Sequence, residues 1–218
     1  MSKAAALRGH LIAGTDAVKG VVGPGSRESE PVDQPLTDSS DTELATRVQQ
    51  GDAVAFDVLV GRHMQRAFSV ALRLLGQRQD AEDLVQEAFL ATLQKIDSFD
   101  TDREFSPWFY RILVNRCLNA RKARSRRSSV DLPAETASSV ASPLLETERS
   151  ELRRHLTRAL DVLPARQRTI VTMFDLEGFS SPEIAETLGI SDGTVRWHLH
   201  QARRVLRKEL EPFVRRKT

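Results

Sequence analysis

SSPEIAETLGISDGTVRWHLHQARRVLRK, residues 180–208, decides the fold. Ser180 followed three residues later by Glu183 predicts a capping box at a helix start, with Pro182 inside the first turn. Ile184, Ala185 and Leu188 then recur at helical spacing and face inward. Gly189 supplies a tight turn and Ile190 plugs the angle between two helices. Ser191 caps the next helix, with Asp192 in its first turn. Val195, Leu199, Ala202 and Leu206 line one side of that helix. At about 100° per residue, Trp197, His200, Gln201 and Arg204 point the opposite way, with Arg196 and Arg203 on the flanks. The pattern is a helix-turn-helix, whose second helix is the one that reads a major groove. Arg203, Arg204, Arg207, Lys208, Arg215, Arg216 and Lys217 pile up the positive charge that phosphate neutralisation requires. The plain alternative is a helical hairpin with a solvated face. Trp197 argues against it, because an indole on the polar side calls for a partner.

Working outward, this motif ends a helical block at 144–218. Leu152, Leu156, Leu160 and Leu163 form one stripe, closed by Pro164. Ile170, Val171, Phe174 and Leu176 form the next, closed by Gly178. Residues 128–143 hold Ser, Ala, Pro and acids and predict a flexible linker. A first block occupies 41–127. Ser40 or Asp41 caps a helix carrying Leu44 and Val48, which Gly51-Asp52 stops. Phe56, Leu59, Val60, Met64, Phe68, Ala71, Leu72 and Leu75 mark a second helix, ended by Gly76. Asp80 is the expected cap of a third, with Leu84, Val85, Ala88, Phe89, Leu93 and Ile96. The acidic stretch Asp97–Phe105 reads as a loop, and Ser106-Pro107 as the start of a fourth helix carrying Phe109, Ile112, Leu113, Cys117 and Ala120. That helix runs into the basic cluster Arg121, Lys122, Arg124, Arg126, Arg127. Residues 1–40 have few large apolar residues and read as a disordered tail; a transit peptide is the alternative, given how few acids the first 25 residues hold. No segment alternates with period two, so the expected fold is all-α, with two small helical bundles joined by the linker.

The composition is ordinary for a soluble chain: 218 residues, 40% hydrophobic, 28% charged, net charge +2. Charge distribution rather than total charge must therefore identify a nucleic-acid binder. Cys117 is the single cysteine and has no partner for an internal disulfide. No Cys/His cluster has metal-ligand spacing, and His198 and His200, two apart on a helix, diverge. No Ser/His/Asp order or Gly-rich phosphate loop appears, so neither an enzyme nor a metal or other cofactor is expected. No apolar run approaches a membrane span, and Gly14 and Asp16 break the only candidate signal-peptide core. A cytoplasmic protein is expected.

A second motif lies in the first block. In DAEDLVQEAF, residues 80–89, Leu84, Val85, Ala88 and Phe89 face the core, while Asp80, Asp83, Gln86 and Glu87 form an acidic and amide ridge that suits a basic helical partner. This stretch, followed by SPWFYRILVN at 106–115, resembles the conserved core domain of sigma-70-family factors. LPARQRTIV at 163–171 with the helix-turn-helix resembles their −35-reading domain. Two such domains and a short linker resemble the extracytoplasmic-function group, over residues 41–212. The resemblance implies a bacterial transcription-initiation factor that associates with RNA polymerase core and promoter DNA, under the control of an anti-sigma factor.

By that resemblance Asp80, Asp83, Gln86 and Glu87 contact the clamp helices of the largest polymerase subunit, and the second domain meets the flap of the second-largest. Asp102 and Arg103 belong to a loop that accepts a flipped −10 base. Trp108, Arg111, Asn115, Asn119 and Lys122 hold the non-template strand, Trp108 being equally suited to the core. Arg196, Trp197, His200, Gln201, Arg203, Arg204, Arg207 and Lys208 face the −35 element. Gln201 stands where relatives often carry Arg, and Gln pairs with adenine where Arg prefers guanine. The competing reading is a free-standing helix-turn-helix regulator, whose first domain would need a self-complementary apolar patch in place of the acidic ridge.

Overall fold

The computed structural model describes residues 36, 38–128 and 155–215; side-chain detail excludes 127, 128 and 212–215. The helices are α1 Asp41–Gln49, α2 Ala53–Leu75, α3 Arg78–Lys95, α4 Phe105–Ser128, α5 at 155–162, α6 Ala165–Val171, α7 Ser181–Leu188 and α8 Asp192–Arg215. No strand occurs among the described residues, as the absence of a two-residue period leads one to expect. Most of the tail and the linker fall outside the described residues.

The chain forms two compact units. The first takes the residues up to His63 with Phe89–Phe105, and the second takes Met64–Ala88 with everything from Ser106 onward. In the first unit, Ser40 caps α1 in a reciprocal box with Glu43, and α1 buries Leu44, Ala45 and Val48. Gly51, at φ 101°, makes a turn that a side chain would strain. Asp52 then accepts hydrogen bonds from the Val54 and Ala55 amides, so it starts α2 as well as ending α1. Phe56 meets Phe89 edge-on at 6.4 Å, and Phe99 meets Phe105 at 5.7 Å. Gln49 donates to the Ile96 and Phe99 carbonyls at 2.8 and 2.9 Å, which pins the end of α3 to α1.

Three expected boundaries move. The stretch read as a loop from Asp97 opens with a 3-10 turn, Ile96–Ser98, and α4 begins at Phe105, not at Ser106. The cause is burial: Phe99 and Phe105 anchor both ends of the segment. Pro107 still falls in the first turn of α4, where an amide has no helical acceptor. Asp80 stands inside the first turn of α3 and not before it. Its carboxylate pairs with Arg124.

In the second unit, the turn after α5 is held by Arg168, whose residue is 3% exposed. Its guanidinium donates to the carbonyls of Leu160, Asp161 and Leu163 at 2.6, 2.7 and 3.3 Å. Carbonyls at a helix C-terminus lack intrahelical donors, and a buried arginine satisfies three of them at once. The helix of α6 widens into a π-helical turn over Thr172–Leu176. That register change leaves Phe174 half-buried and puts Met173 in the core instead.

Candidate nucleic-acid and polymerase interfaces

The helix-turn-helix is built by local signals. Ser180 and Glu183 form the reciprocal box expected of them, and Gly189 ends α7 in the left-handed region at φ 63°, ψ 43°. The Thr194 amide donates to the Ser191 hydroxyl at 3.2 Å, which caps α8. Ile184, Val195, Leu199 and Ala202 are buried, whereas Leu206 is only half-buried.

The other side of α8 presents Arg196, Trp197, His200, Arg203, Arg204, Arg207 and Lys208 to solvent, with Gln201 half-buried. Trp197 is 56% exposed. A cleft of about 440 Å³ runs along this side, lined by Arg196, His200, Arg203, Arg204 and Arg207 with Phe174 and Ser181. Two of these arginines are steered. Arg196 pairs with Asp192 at 2.6 Å, one turn earlier on the same helix. Arg203 pairs with Asp175 and lies 5.4 Å over the Phe174 ring. Phe174 and Ser181 were not legible as part of this surface, because they sit on other elements. Beneath it, His198 is pulled below its ordinary pKa by burial and by the charge of Arg166, so a neutral imidazole is favoured there.

On α4, Arg111, Asn115, Asn119 and Lys122 are exposed at spacings of four, four and three, which puts them along one line of the helix. Trp108, on the same helix, is half-buried. Arg121, the first residue of the basic cluster, and Ser125, not singled out in the sequence, line the same cleft as these four. Asp102 and Arg103 lie in the first unit, exposed, in a turn where Asp100 accepts from the Asp102 amide and pairs with Arg103 at 3.4 Å.

The α3 ridge splits in two. Asp80 is occupied by Arg124, and Glu87 pairs with Arg116 at 3.1 Å. Asp83 and Gln86 are exposed.

Comparison with known proteins decides the family. Models of "Sigma-70 region 2" and "Sigma-70, region 4" match residues 59–127 and 153–206. The RNA polymerase sigma-H factor of Pseudomonas aeruginosa is 33% identical over 190 residues, covering 83% of this chain and 98% of that protein. This chain belongs to the sigma-70 family, in its extracytoplasmic-function group. The ECF RNA polymerase sigma-E factor of Escherichia coli is 35% identical over 187 residues, 81% of this chain and 97% of that protein. Among solved structures, CnrH in complex with the cytosolic domain of CnrY superposes with a TM-score of 0.64 at 27% identity, covering 80% of this chain and 99% of that one. The sigma factor RpoE bound to the anti-sigma factor NepR from Bartonella quintana gives 0.56 at 25% identity, covering 72% and 96%. The protein is thus a sigma factor, a transcription-initiation subunit for RNA polymerase and promoter DNA, and the free-standing regulator is not favoured. Among the described residues, no helix is long and apolar enough to cross a membrane.

Proposed function

We propose that this sigma factor divides its work among three surfaces and does no catalysis of its own. Residues 41–127 act as the core-binding and −10 domain, 144–218 as the −35 domain, with 128–143 as the tether between them. Asp83 and Gln86, helped by Asp80 and Glu87, dock on the clamp helices of the largest subunit. Arg111, Asn115, Asn119 and Lys122 hold the non-template strand, and Asp102 and Arg103 border the site for a flipped −10 base. Trp108 serves this face with the exposed part of its ring. Single strands bind through cationic grooves and aromatic faces, which is the chemistry available here. The exposed side of α8 reads the −35 element.

The carrying observation is the α8 surface: an exposed Trp197, Arg196, His200 and three more arginines on one side of a helix placed by a capped α7 and a left-handed Gly189. A solvated hairpin has no use for that combination. The solved complexes with CnrY and NepR support control by a protein inhibitor, and the protein works in the cytoplasm, where the polymerase is.

Reconstituted transcription tests the proposal. Core enzyme plus this protein should yield discrete transcripts from its promoters, and core alone should not. Tight sequence-specific DNA binding by the free protein without any association with core would overturn it.

A further inference from the structure

Trp197 is the odd member of the α8 surface. Among the described residues it is the one aromatic ring in the set of large apolar side chains left open, beside Val54, Met64 and Val162. Its exposed neighbours on α8 are Arg196, His200, Arg203, Arg204, Arg207 and Lys208, all of them polar. The apolar residues of the same stretch, Val195, Leu199 and Ala202, are buried. At about 100° per residue, Trp197 stands about 200° round the helix from Val195, across from the core.

The ring is also held in place. It lies in the second turn of α8, towards the end of a recognition helix that contacts base edges. Its edge-on contact with His198, with ring centroids 4.9 Å apart and an angle of 72°, limits how far it swings. His198 is half-buried, and its neutral form, favoured by burial and by the charge of Arg166, adds no charge beneath the indole.

An exposed indole gains stabilisation against an apolar surface. The major groove offers one such group at each A·T pair, the thymine 5-methyl; the other groups that distinguish the pairs there are hydrogen-bond donors and acceptors. The arginines, His200 and Gln201 suit those donors and acceptors. Trp197 alone, among the exposed residues from 196 to 208, suits a methyl. A protein partner fits less well, because whatever covers the indole must also meet Arg196, Arg204 and Arg207. DNA supplies that negative charge beside its methyl groups.

We propose that Trp197 reads a thymine of the −35 element through its 5-methyl group, so that one base of the promoter is chosen by apolar contact and not by hydrogen bonding. The inference rests on α8 being the helix that reads the −35 element.

Deoxyuridine provides the test, because it differs from thymidine by the methyl alone and keeps every hydrogen bond. The −35 elements are selected from a random pool with holoenzyme made from core polymerase and the full chain. Each thymine on either strand of the selected element is then replaced singly by deoxyuridine. At one thymine the wild-type holoenzyme should lose about fourfold in promoter binding, the effect of returning one methyl group to water. Trp197→Ala should bind the thymine and uracil promoters equally, and Trp197→Phe should keep part of the difference. Trp197 is exposed, so both variants should fold, and the wild-type uracil series needs no variant at all. Indifference of the wild type to uracil at every thymine overturns the proposal, as does a methyl effect that survives Trp197→Ala. If the indole serves a protein instead, Trp197→Ala loses association with core and no thymine responds, which overturns it too. A selection that yields no −35 preference rejects α8 as the reading helix, and the proposal with it. A clear preference without a methyl-sensitive thymine rejects the role of Trp197 alone.

Discussion

Asp41 carries two duties at the start of the fold. It sits in the first turn of α1, where a carboxylate suits the helix dipole, and it accepts from His63 and Arg62, each at 2.7 Å. The His63 hydrogen bond first, and the Arg62 bond behind it, outweigh burial and hold its carboxyl below the ordinary 3.8. A carboxyl depressed in the folded state adds stability that is complete above its unfolded value and fades as pH falls through the folded one. Asp41→Asn should therefore cost about 1.5–3 kcal/mol at neutral pH, the range for a hydrogen bond to a charged group. Urea titrations of the two proteins should converge as pH drops below about 4, where the wild-type carboxyl also becomes neutral. A gap that stays unchanged well below that pH, once the wild-type carboxyl is protonated, would mean the carboxylate charge is not what matters. At this scale the sequence was readable only where partners are close along the chain. The box at Ser180 was legible, and the cap of α1 was narrowed to Ser40 or Asp41, of which Ser40 is the one. The pairing of Asp41 with His63 was not, nor was the grip of Arg168 on three carbonyls, because charged residues outside a local motif give no sign of being buried.

Helices are the scale at which most of the fold could be read, because a 3.6-residue stripe is a property of one element alone. The stripes of α2, α3 and α4 and the helix-turn-helix needed no tertiary information. What escaped was the π-helical turn at Thr172–Leu176, which shifts the stripe by one residue, and Phe179, a single aromatic between Gly178 and Ser180 with no periodic company. Faces are also where the functional residues separate. On α3, Asp83 and Gln86 are exposed while Asp80 and Glu87 are tied to arginines of α4, so the first pair should dominate recognition of core. Asp83→Arg with Gln86→Ala should abolish pull-down of core polymerase and change stability by only about 0.5 kcal/mol, as exposed substitutions do. Unimpaired pull-down would reject that face. On α8, base reading and phosphate holding should part along the axis. Gln201→Ala should cost about 1–3 kcal/mol at a single −35 position, since one amide pairs with one adenine. Lys208→Ala should weaken all promoters alike and lower the salt slope by about one unit. Selection of −35 elements from a random pool would decide between them. Identical selections by wild type and Gln201→Ala would pass the reading role to Trp197 or His200.

Where the whole molecule begins to fold is a different question from where its helices begin. The composition of residues 1–40 predicts a dispensable tail, but its last residues belong to the first unit. Ser39 is buried, and its carbonyl accepts from Arg62 at 2.7 Å. Leu36 offers a second carbonyl to the same guanidinium at 3.4 Å. Ser40 closes the capping box of α1. Arg62 thereby gathers the chain just before α1 and Asp41 within it onto α2, and losing those acceptors would leave a partly buried guanidinium with one partner fewer on each side. Two truncations separated by five residues should therefore behave differently. Removal of residues 1–35 should leave both stability and transcription in vitro unchanged, because that segment has too few apolar residues to bury a core. Removal of residues 1–40 takes the cap as well, worth about 1 kcal/mol, and the carbonyl acceptors of Arg62, worth about 1.5–3 kcal/mol for a charged donor. Thermal unfolding of the two proteins checks the difference, and transcription at a temperature near the lower midpoint shows whether it matters for function. Equal midpoints would place the start of the folded unit at Asp41, and a loss of activity on removing residues 1–35 alone would give the tail a role that its composition does not suggest.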